Sequence, residues 1–319
     1  MQNHYFIILK IIWTEQKIKI TKYILNTPKE RYDMKNNFLI LLLTIIIFNH
    51  TYSTNSKQAT ENFNQLMHIG SKEMLNAKEH MRYYNIPGDL CLNMFRVLYE
   101  QNQNSFSKNH IPKIIHQIWL GSPFPERFKN WQKKIKALHP DWEYKLWTEQ
   151  EIKELNLVNK LFYDKADNYG KKSDIARYEI LYRFGGAYVD VDVDFLKPLD
   201  SLHYKYDFYA GFEPFWSTSE TRCLTIGNSI IGSVAGHPLL KYCIKSIKYS
   251  HSVALDVDTK LATVIRTGPM FLTKACLKIL MKDKEHLNVI LPSEYLYPLL
   301  PVANKSTFCI HHWTHSWLN

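Results

Sequence analysis

The segment 173–200 constrains the fold and the chemistry of this chain more than any other. A helical pattern ends at Gly185-Gly186, and the chain then runs directly into alternating valine and aspartate, AYVDVDVD at 187–194. Two adjacent glycines end a helix readily because the first can adopt a positive φ angle. The pattern therefore predicts a helix over 174–184 that Ser173 caps, a tight turn, and then a buried strand.

Three carboxylates follow that turn at every second position. Successive side chains of an extended strand point to opposite faces, so Asp190, Asp192 and Asp194 share one face. Two such charges repel each other by on the order of a few kcal/mol at the effective dielectric of a protein surface. A cation offsets this repulsion, and oxygen ligands favour Mg²⁺, Mn²⁺ or Ca²⁺. The alternative is a solvated edge strand whose charges prevent aggregation.

Aspartates at this spacing occur in three kinds of metal site. An EF-hand loop needs Gly at its sixth position and Glu at its twelfth, and a loop that begins at Asp190 has Phe195 and Ser201 there, which excludes it. A phosphatase that forms an aspartyl phosphate has Asp-x-Asp-x-Thr, and the threonine is missing in both registers. The third kind holds a divalent ion that bridges the two phosphates of a nucleotide sugar.

Strand and helix signals alternate upstream of this segment. The apolar run 114–120 and the alternation over 142–146 predict strands. Apolar residues at helical spacing over 128–138 predict a helix that ends at His139-Pro140, and the capping box Thr148-x-x-Glu151 predicts the start of the next helix. Such alternation is typical of an α/β fold with a mainly parallel sheet.

Six blocks in a fixed order give the chain a family resemblance. It resembles the DXD glycosyltransferases of family thirty-two, which include fungal initiating mannosyltransferases, sphingolipid mannosyltransferases and capsular polysaccharide enzymes, and it is more distantly similar to clostridial glucosylating toxins. The blocks are IPKIIHQIW at 111–119, PDWEYKLW at 140–147, SDIARYEILYRFGGAYVDVD at 173–192, NSIIGSVAGHPLL at 228–240, TGPMFLT at 267–273 and HHWTHSW at 311–317. The resemblance implies a GT-A type, Rossmann-like α/β domain over 110–319, and retaining transfer.

The resemblance also implies roles for four residues of the central block. Asp192 would be the direct metal ligand, and Asp190 would contact ribose or sugar hydroxyls and metal-bound water. Asp174 would bind sugar hydroxyls, and Arg177 would lie by the sugar or the phosphates. Asp194 falls outside the family's DXD motif, and a structural role is expected for it.

Further substrate-binding and metal-binding residues are expected outside this motif. A late histidine completes the metal site in related enzymes, so His312 is the predicted third ligand and His311 its substitute. His237, which precedes a proline, is predicted to be a structural turn residue. The remaining predicted substrate-binding residues are Gln117, Trp119, Ser173, Tyr188 and Asn228.

The implied activity is the transfer of a hexose from a UDP- or GDP-hexose to a hydroxyl of a glycan, lipid or protein, with Mn²⁺ or Mg²⁺ as cofactor. No residue can be assigned as a covalent nucleophile from the sequence. Front-face attack by the acceptor is therefore the expected route to retention. Two other classes stay open: a carbohydrate- or nucleotide-binding protein of the same fold without turnover, and a metal-dependent phosphatase or nuclease.

Charge and cysteine usage exclude other classes. The formal net charge is +10, but the lysines and arginines are dispersed without a basic run of five, so nucleic acid is not an expected partner. The five cysteines contain no CxxC pair, which excludes a zinc ribbon and a dense disulfide framework.

The N-terminal part is predicted to direct the chain out of the cytosol. Residues 38–48 form an almost uninterrupted apolar run of eleven residues, which suits the apolar core of a signal peptide or a short membrane anchor better than a full membrane span of about 20 residues. The sequence suggests Met34 as the true start. Residues 1–53 are therefore an upstream extension with a signal peptide or anchor, and residues 54–109 a helical extension with a linker. A Golgi-like lumen, or secretion or envelope association in a bacterium, is the expected location.

Overall fold

The computed structural model describes the parts of the chain listed here: residues 63–68, 88–214, 224–252, 257, 259–298 and 304–317. The apolar run 38–48, the suggested start at Met34 and half of the predicted helical extension lie outside these residues. Within the described ranges, no helix has both the length and the apolar character needed to cross a membrane.

A six-stranded sheet forms the centre of the described structure. Its strands are β1 (Ile114–Ile118), β2 (Glu143–Trp147), β3 (Gly186–Val189), β5 (Phe208–Phe212), β6 (Ile226–Ser233) and β7 (Asn288–Leu291). The strand order is β2-β1-β3-β6-β5-β7, and β6 runs antiparallel to both of its neighbours while the other pairs are parallel. The predicted α/β class with a mainly parallel sheet is confirmed.

A second, two-stranded sheet lies beside the carboxyl end of β3. It pairs β4 (Val193–Phe195) antiparallel with β8 (Cys309–His311), and Val193 lies opposite His311. The prediction of one strand over 187–194 is therefore wrong, because the chain leaves the main sheet at Val189 and turns before it joins β8. The physical consequence is that Asp194 lies on a different element from Asp190.

Helices flank the sheet along the whole described chain. They are α1 (Gly88–Gln101), α2 (Glu126–Leu138), α3 (Glu149–Leu155), α4 (Lys160–Asp164), α5 (Tyr169–Phe184), α6 (Asp200–Lys205), α7 (Pro238–Ser252), α8 (Thr259–Arg266), α9 (Pro269–Ile279) and α10 (Ser293–Leu296). The capping box of Thr148 and Glu151 is present at the start of α3, as predicted. Helix α1 packs on the sheet, where Phe95 meets Phe212 at 5.5 Å between ring centroids.

Helix α5 begins earlier than the sequence predicts. Asn168, and not Ser173, is its N-cap, because the Asn168 side chain accepts a hydrogen bond from the backbone N–H of Lys171 at 2.8 Å. Ser173 therefore lies one turn inside the helix. The predicted end at Gly185 is confirmed, with φ of 64° there and 91° at Gly186. A Cβ atom on Gly186 would lie 2.6 Å from the carbonyl oxygen of Ile114, so only glycine lets β3 approach β1 here.

His116 on β1 holds this turn in place through hydrogen bonds. Its Nδ1 accepts a hydrogen bond from Trp147 Nε1 at 3.2 Å, so its Nε2 carries the proton that is donated to the carbonyl of Gly185 at 2.9 Å. Burial lowers the pKa of His116 from 6.5 to about 4. The neutral imidazole thus connects β1, β2 and the glycine turn.

This burial predicts a pH dependence of stability that His116→Gln should reduce. Unfolding returns the imidazole to its ordinary pKa of 6.5, so the unfolded state binds more protons than the folded state between pH 6.5 and about 4. The free energy of unfolding then falls by up to about 1.4 kcal/mol per pH unit as the pH drops through this window. Urea unfolding of His116→Gln over this range should show a slope against pH that is shallower by about one proton. Equal slopes for the wild type and His116→Gln would contradict the prediction.

Candidate active site

A cavity of about 650 Å³ opens at one edge of the main sheet. The carboxyl ends of β1 and β3 and the amino end of antiparallel β6 meet there, and α5, α8 and the C-terminal residues 311–317 complete the walls. In open α/β sheets, ligands generally bind outside the carboxyl ends of the strands. The cavity is therefore the candidate active site.

The two aspartates of the DXD motif lie in the turn between β3 and β4. The backbone N–H of Asp190 donates to the carbonyl of Ser229 on β6 at 2.8 Å, and the carbonyl of Asp192 accepts from the N–H of His312 at 3.1 Å. Thr314 donates to Oδ2 of Asp192 from both its backbone N–H (2.8 Å) and its hydroxyl (2.9 Å). The turn is thus held between a central strand and the C-terminal segment.

His311 joins these carboxylates in a cluster with the chemistry of a metal site. Its Nε2 lies 3.2 Å from Oδ1 of Asp192 and 4.0 Å from Oδ2 of Asp190, and one ligand atom from each residue lies within 4.8 Å of the others. Two carboxylate oxygens and one imidazole nitrogen suit a divalent ion such as Mn²⁺ or Mg²⁺. The donor set therefore fits the expected cofactor.

The predicted ligand His312 does not reach these carboxylates. Adjacent residues of an extended segment point to opposite sides, so the pairing of β8 with β4 that directs His311 inward directs His312 away. The His312 ring stacks on Trp131 with 4.4 Å between centroids. The structure thus places His311, and not the preferred His312, beside the two carboxylates.

The ionisation of this cluster follows from burial and mutual attraction. Burial works against the charged forms, but the hydrogen bonds from His311 and Thr314 hold the pKa of Asp192 below its usual range. Asp192 in turn raises the pKa of His311 above 6.5 in spite of burial. Burial raises the pKa of Asp190, and the charge of Arg177 opposes that shift.

Arg177 is buried beside the cluster and is held by three hydrogen bonds and two ion pairs. Nη1 donates to the carbonyl of Asn228 at 2.6 Å and lies 3.4 Å from Oδ1 of Asp190. Nη2 contacts the Ser173 hydroxyl at 3.1 Å and Oδ1 of Asp174 at 3.0 Å, and Nε donates to the Ser173 carbonyl at 3.4 Å. A guanidinium has five N–H groups, so this arrangement makes Arg177 a positioning residue for Asp174 and Asp190.

Asp174 is held on both of its oxygens. Asn228 Nδ2 donates to Oδ1 at 2.7 Å, and the Thr267 hydroxyl donates to Oδ2 at 2.8 Å. Burial raises the pKa of Asp174 to about 6, and Arg177 opposes the shift. Thr267 is a site residue that the sequence reasoning did not single out, although it opens the TGPMFLT block at 267–273.

All but one of the other predicted substrate-binding residues lie at the cavity. Trp119, Ser173, Tyr188 and Asn228 line the cavity. The Tyr188 hydroxyl donates to Oδ1 of Asp190 at 2.6 Å, and its ring lies 4.2 Å from the guanidinium of Arg177.

Gln117 does not line the cavity, contrary to the expected substrate-binding role. Its Nε2 donates to the carbonyl of Asp190 at 3.2 Å, and its Oε1 accepts from the Tyr144 hydroxyl at 2.6 Å. Gln117 is buried. Its side chain therefore supports the backbone of the DXD motif and does not face the cavity.

Two remaining ionisable residues lie away from the cavity. Asp194 pairs with Lys134 at 2.6 Å, since β4 carries it to the opposite side of the turn. His237 lies near Asp283 and His286, in a cluster that resembles a metal site. However, His237 Nδ1 accepts from the backbone N–H of Leu239 at 3.2 Å, whereas a neutral imidazole that binds a metal through Nε2 carries its proton on Nδ1. The turn role predicted for His237 agrees with these contacts.

Sequence reasoning also missed Glu213 and the shape of the C-terminal segment. Glu213 follows β5 and lines the cavity, and no motif marked it. Trp313 and His315 have φ of 44° and 48°, which non-glycine residues rarely adopt. The HHWTHSW block signalled a site here but not the left-handed backbone that returns the segment over the cavity.

Three comparisons bear on identity. Residues 125–209 match the family model described as "Glycosyltransferase sugar-binding region containing DXD motif". "Inositol phosphoceramide mannosyltransferase 3" of Schizosaccharomyces pombe is 36% identical over 169 residues, which are 51% of this chain and 44% of the relative. "Inositol phosphoceramide mannosyltransferase 2" of the same yeast is 32% identical over 220 residues, 66% of this chain and 59% of the relative. The matches thus span about half the length of these relatives.

A solved structure titled "PaToxG Glycosyltransferase" has 16% identity and a TM-score of 0.47 over 62% of this chain and 80% of its own. A score at this level supports no conclusion about function or substrate. The family model includes α5, both aspartates of the DXD motif and the start of β5. The resemblance that the sequence suggested is confirmed, and residues 125–209 match a glycosyltransferase sugar-binding region of the DXD type.

Proposed function

We propose that this chain is a metal-dependent, retaining hexosyltransferase that moves a hexose from a nucleotide-diphosphate sugar to an acceptor hydroxyl. The observation that carries the proposal is the cluster of Asp190, Asp192 and His311 at the rim of a cavity whose wall also holds Asp174 and Arg177. A phosphatase of the aspartyl-phosphate class would not require Asp174 to be fixed by Asn228 and Thr267.

The names of the relatives narrow the proposal. Both yeast proteins are named as mannosyltransferases that act on inositol phosphoceramide. We therefore take mannose as the first candidate sugar, GDP-mannose as the first donor to test, and the inositol hydroxyls of inositol phosphoceramide as the first candidate acceptor. A lipid acceptor fits the predicted secretory or membrane-associated location.

The mechanism assigns each part of the cavity a task. The nucleoside would lie by Trp119 at the end of β1, and the diphosphate by the DXD turn. A divalent ion held by Asp190, Asp192 and His311 would act as a Lewis acid for the diphosphate leaving group. Asp174 would orient the hexose through its hydroxyls. Arg177 favours the charged forms of Asp174 and Asp190 against the effect of burial and holds both in place, which preorganises the site before the substrate arrives.

Transfer with retention would then need no covalent enzyme intermediate. The acceptor oxygen would form its bond to the anomeric carbon on the face from which the diphosphate departs, and the acceptor proton would pass to the departing phosphate oxygen. The transition state would resemble an oxocarbenium ion, as in glycoside hydrolysis. The product should therefore keep the anomeric configuration of the donor, which NMR of the isolated product measures. A trapped glycosyl-enzyme adduct would contradict this route.

Asp192→Asn should abolish turnover, because it removes a ligand charge at the cluster. The full chain is incubated with a panel of UDP- and GDP-hexoses and inositol phosphoceramide in detergent micelles, with and without Mn²⁺, and nucleotide release is followed. We expect Mn²⁺-dependent release from one donor, and a loss of 10²-fold or more in Asp192→Asn, as is typical when a charge that stabilises the transition state is removed.

Asp194→Asn is the matched control, since Asp194 pairs with Lys134 outside the cavity and the variant should keep activity within a few-fold. Donor binding without turnover of any acceptor would favour the carbohydrate- or nucleotide-binding class. Release of inorganic phosphate without sugar transfer would favour the phosphatase class.

The two adjacent histidines allow a second test with matched variants. His311→Gln should weaken Mn²⁺ binding by 10-fold or more, because it removes the imidazole ligand from the cluster. His312→Gln should leave Mn²⁺ affinity unchanged within about 2-fold, as its ring stacks on Trp131 instead. Electron paramagnetic resonance of free Mn²⁺ measures both affinities. The reverse order of effects would show that the assignment of the third ligand to His311 is wrong.

A further inference from the structure

Glu213 is a carboxylate of the cavity wall to which the mechanism above gives no task. It follows the last residue of β5, and its side chain lines the cavity with Thr225, Asn228 and His311. Phe212 pairs with Ile226, so the end of β5 lies against the start of β6. Glu213 therefore stands at the same edge of the sheet as the DXD turn.

Two hydrogen bonds to one residue hold Glu213 in place. Its backbone N–H donates to the carbonyl of Thr225 at 3.0 Å, and the Thr225 hydroxyl donates to its Oε2 at 2.9 Å. Thr225 itself is buried. The carboxylate is thus fixed in position before any ligand binds.

Of the four carboxylates that line the cavity, Glu213 is the one that makes no ion pair with another described residue, so it keeps capacity to accept hydrogen bonds. Asp174 accepts from Asn228 and Thr267 and pairs with Arg177.

The two DXD aspartates are similarly engaged. Asp190 accepts from Tyr188, and Asp192 accepts two bonds from Thr314, while both face His311. A carboxylate has about four acceptor positions, and the bonds among the described residues use one on Glu213.

The order of the strands tells which part of the reaction Glu213 faces. Trp119 follows β1, the DXD turn follows β3, Asn228 lies on β6, and Glu213 follows β5. These strands are neighbours in this order, β1-β3-β6-β5. A donor whose nucleoside lies at β1 and whose diphosphate lies at β3 places its hexose at β6, and the next position along the edge belongs to the group that receives the hexose.

We propose that Glu213 is the acceptor-binding residue: its carboxylate accepts a hydrogen bond from an acceptor hydroxyl next to the attacking one, and so orients the attacking oxygen toward the anomeric carbon. The inference rests on the proposed function. In the step, the acceptor O–H bond and the bond from the anomeric carbon to the phosphate oxygen break. The new glycosidic bond forms, and the proton leaves with the diphosphate. Glu213 itself ends the step unchanged.

Glu213→Gln tests this role, because the amide keeps the size of the side chain and can still accept from Thr225. Three quantities are measured on the full chain with GDP-mannose and Mn²⁺: donor affinity, transfer to water (hydrolysis), and transfer to inositol phosphoceramide in detergent micelles. We expect donor affinity and hydrolysis to stay within about 3-fold of wild type. The kcat/KM for inositol phosphoceramide should fall by about 10- to 100-fold, the range for loss of a hydrogen bond to a charged group. An unchanged thermal midpoint confirms that the variant is folded.

Three results would overturn the inference. The first is an equal fall of hydrolysis and transfer, which would place Glu213 at the hexose. The second is a loss of donor affinity, and the third is an unchanged kcat/KM for the acceptor. Thr225→Val is the second variant: it should lower acceptor transfer by a smaller factor, because Glu213 then loses one hydrogen bond that holds it but keeps its carboxyl group. If the wild-type chain shows no metal-dependent binding of any nucleotide sugar in the panel, the proposed function itself fails, which a failure of the Glu213 variants alone would not imply.

Discussion

A single buried guanidinium, that of Arg177, fixes the arrangement on which the rest of the site depends. Its hydrogen bonds and ion pairs reach the helix α5 that carries it, the end of β3 through Asp190, and β6 through the carbonyl of Asn228. The carboxylates of Asp174, Asp190 and Asp192 at this end of the sheet would repel one another without a cation among them. A buried ion pair is stable only if its geometry and its remaining hydrogen bonds are complete, and here Ser173 and Asn228 complete them.

The other constraint is non-local, because the last strand of the described chain completes the DXD turn. Asp192 is bonded to Thr314, 122 positions away in the sequence, and β4 is paired with β8 throughout. His311 therefore reaches the carboxylates only after the main sheet has brought both segments to one edge. The left-handed backbone at Trp313 and His315 is tolerated at this point because the contacts of the surrounding structure determine it.

The sequence predicted those elements whose signals are local. The strands β1 and β2, the helix α2 and the start of α3 follow from apolar periodicity and a capping box, and the turn at Gly185-Gly186 follows from the conformational freedom of glycine. Alternation could not show that the chain leaves the main sheet at Val189, since this depends on β8, far along the chain. For the same reason, sequence alone could not decide between two adjacent histidines. Gln117 was misassigned because a residue at a strand end can face the cavity or the layer beneath it, and its neighbour Tyr144 on β2 decides which.

The charges of the cavity wall indicate that binding of the proposed donor and binding of a divalent ion would be thermodynamically linked. Four carboxylates line the cavity among the described residues, those of Asp174, Asp190, Asp192 and Glu213, against two basic side chains, those of Arg177 and Lys260. A diphosphate is itself anionic, so this excess of carboxylates would repel it. His311 can offset part of the negative charge only while it is protonated. That proton then competes with a metal ion for the same imidazole nitrogen. A divalent ion held by the proposed cluster would remove both difficulties, because it would take the place of the proton on His311 and supply positive charge for the phosphates. In that case, linkage requires that the metal and the nucleotide sugar each raise the affinity for the other by the same factor.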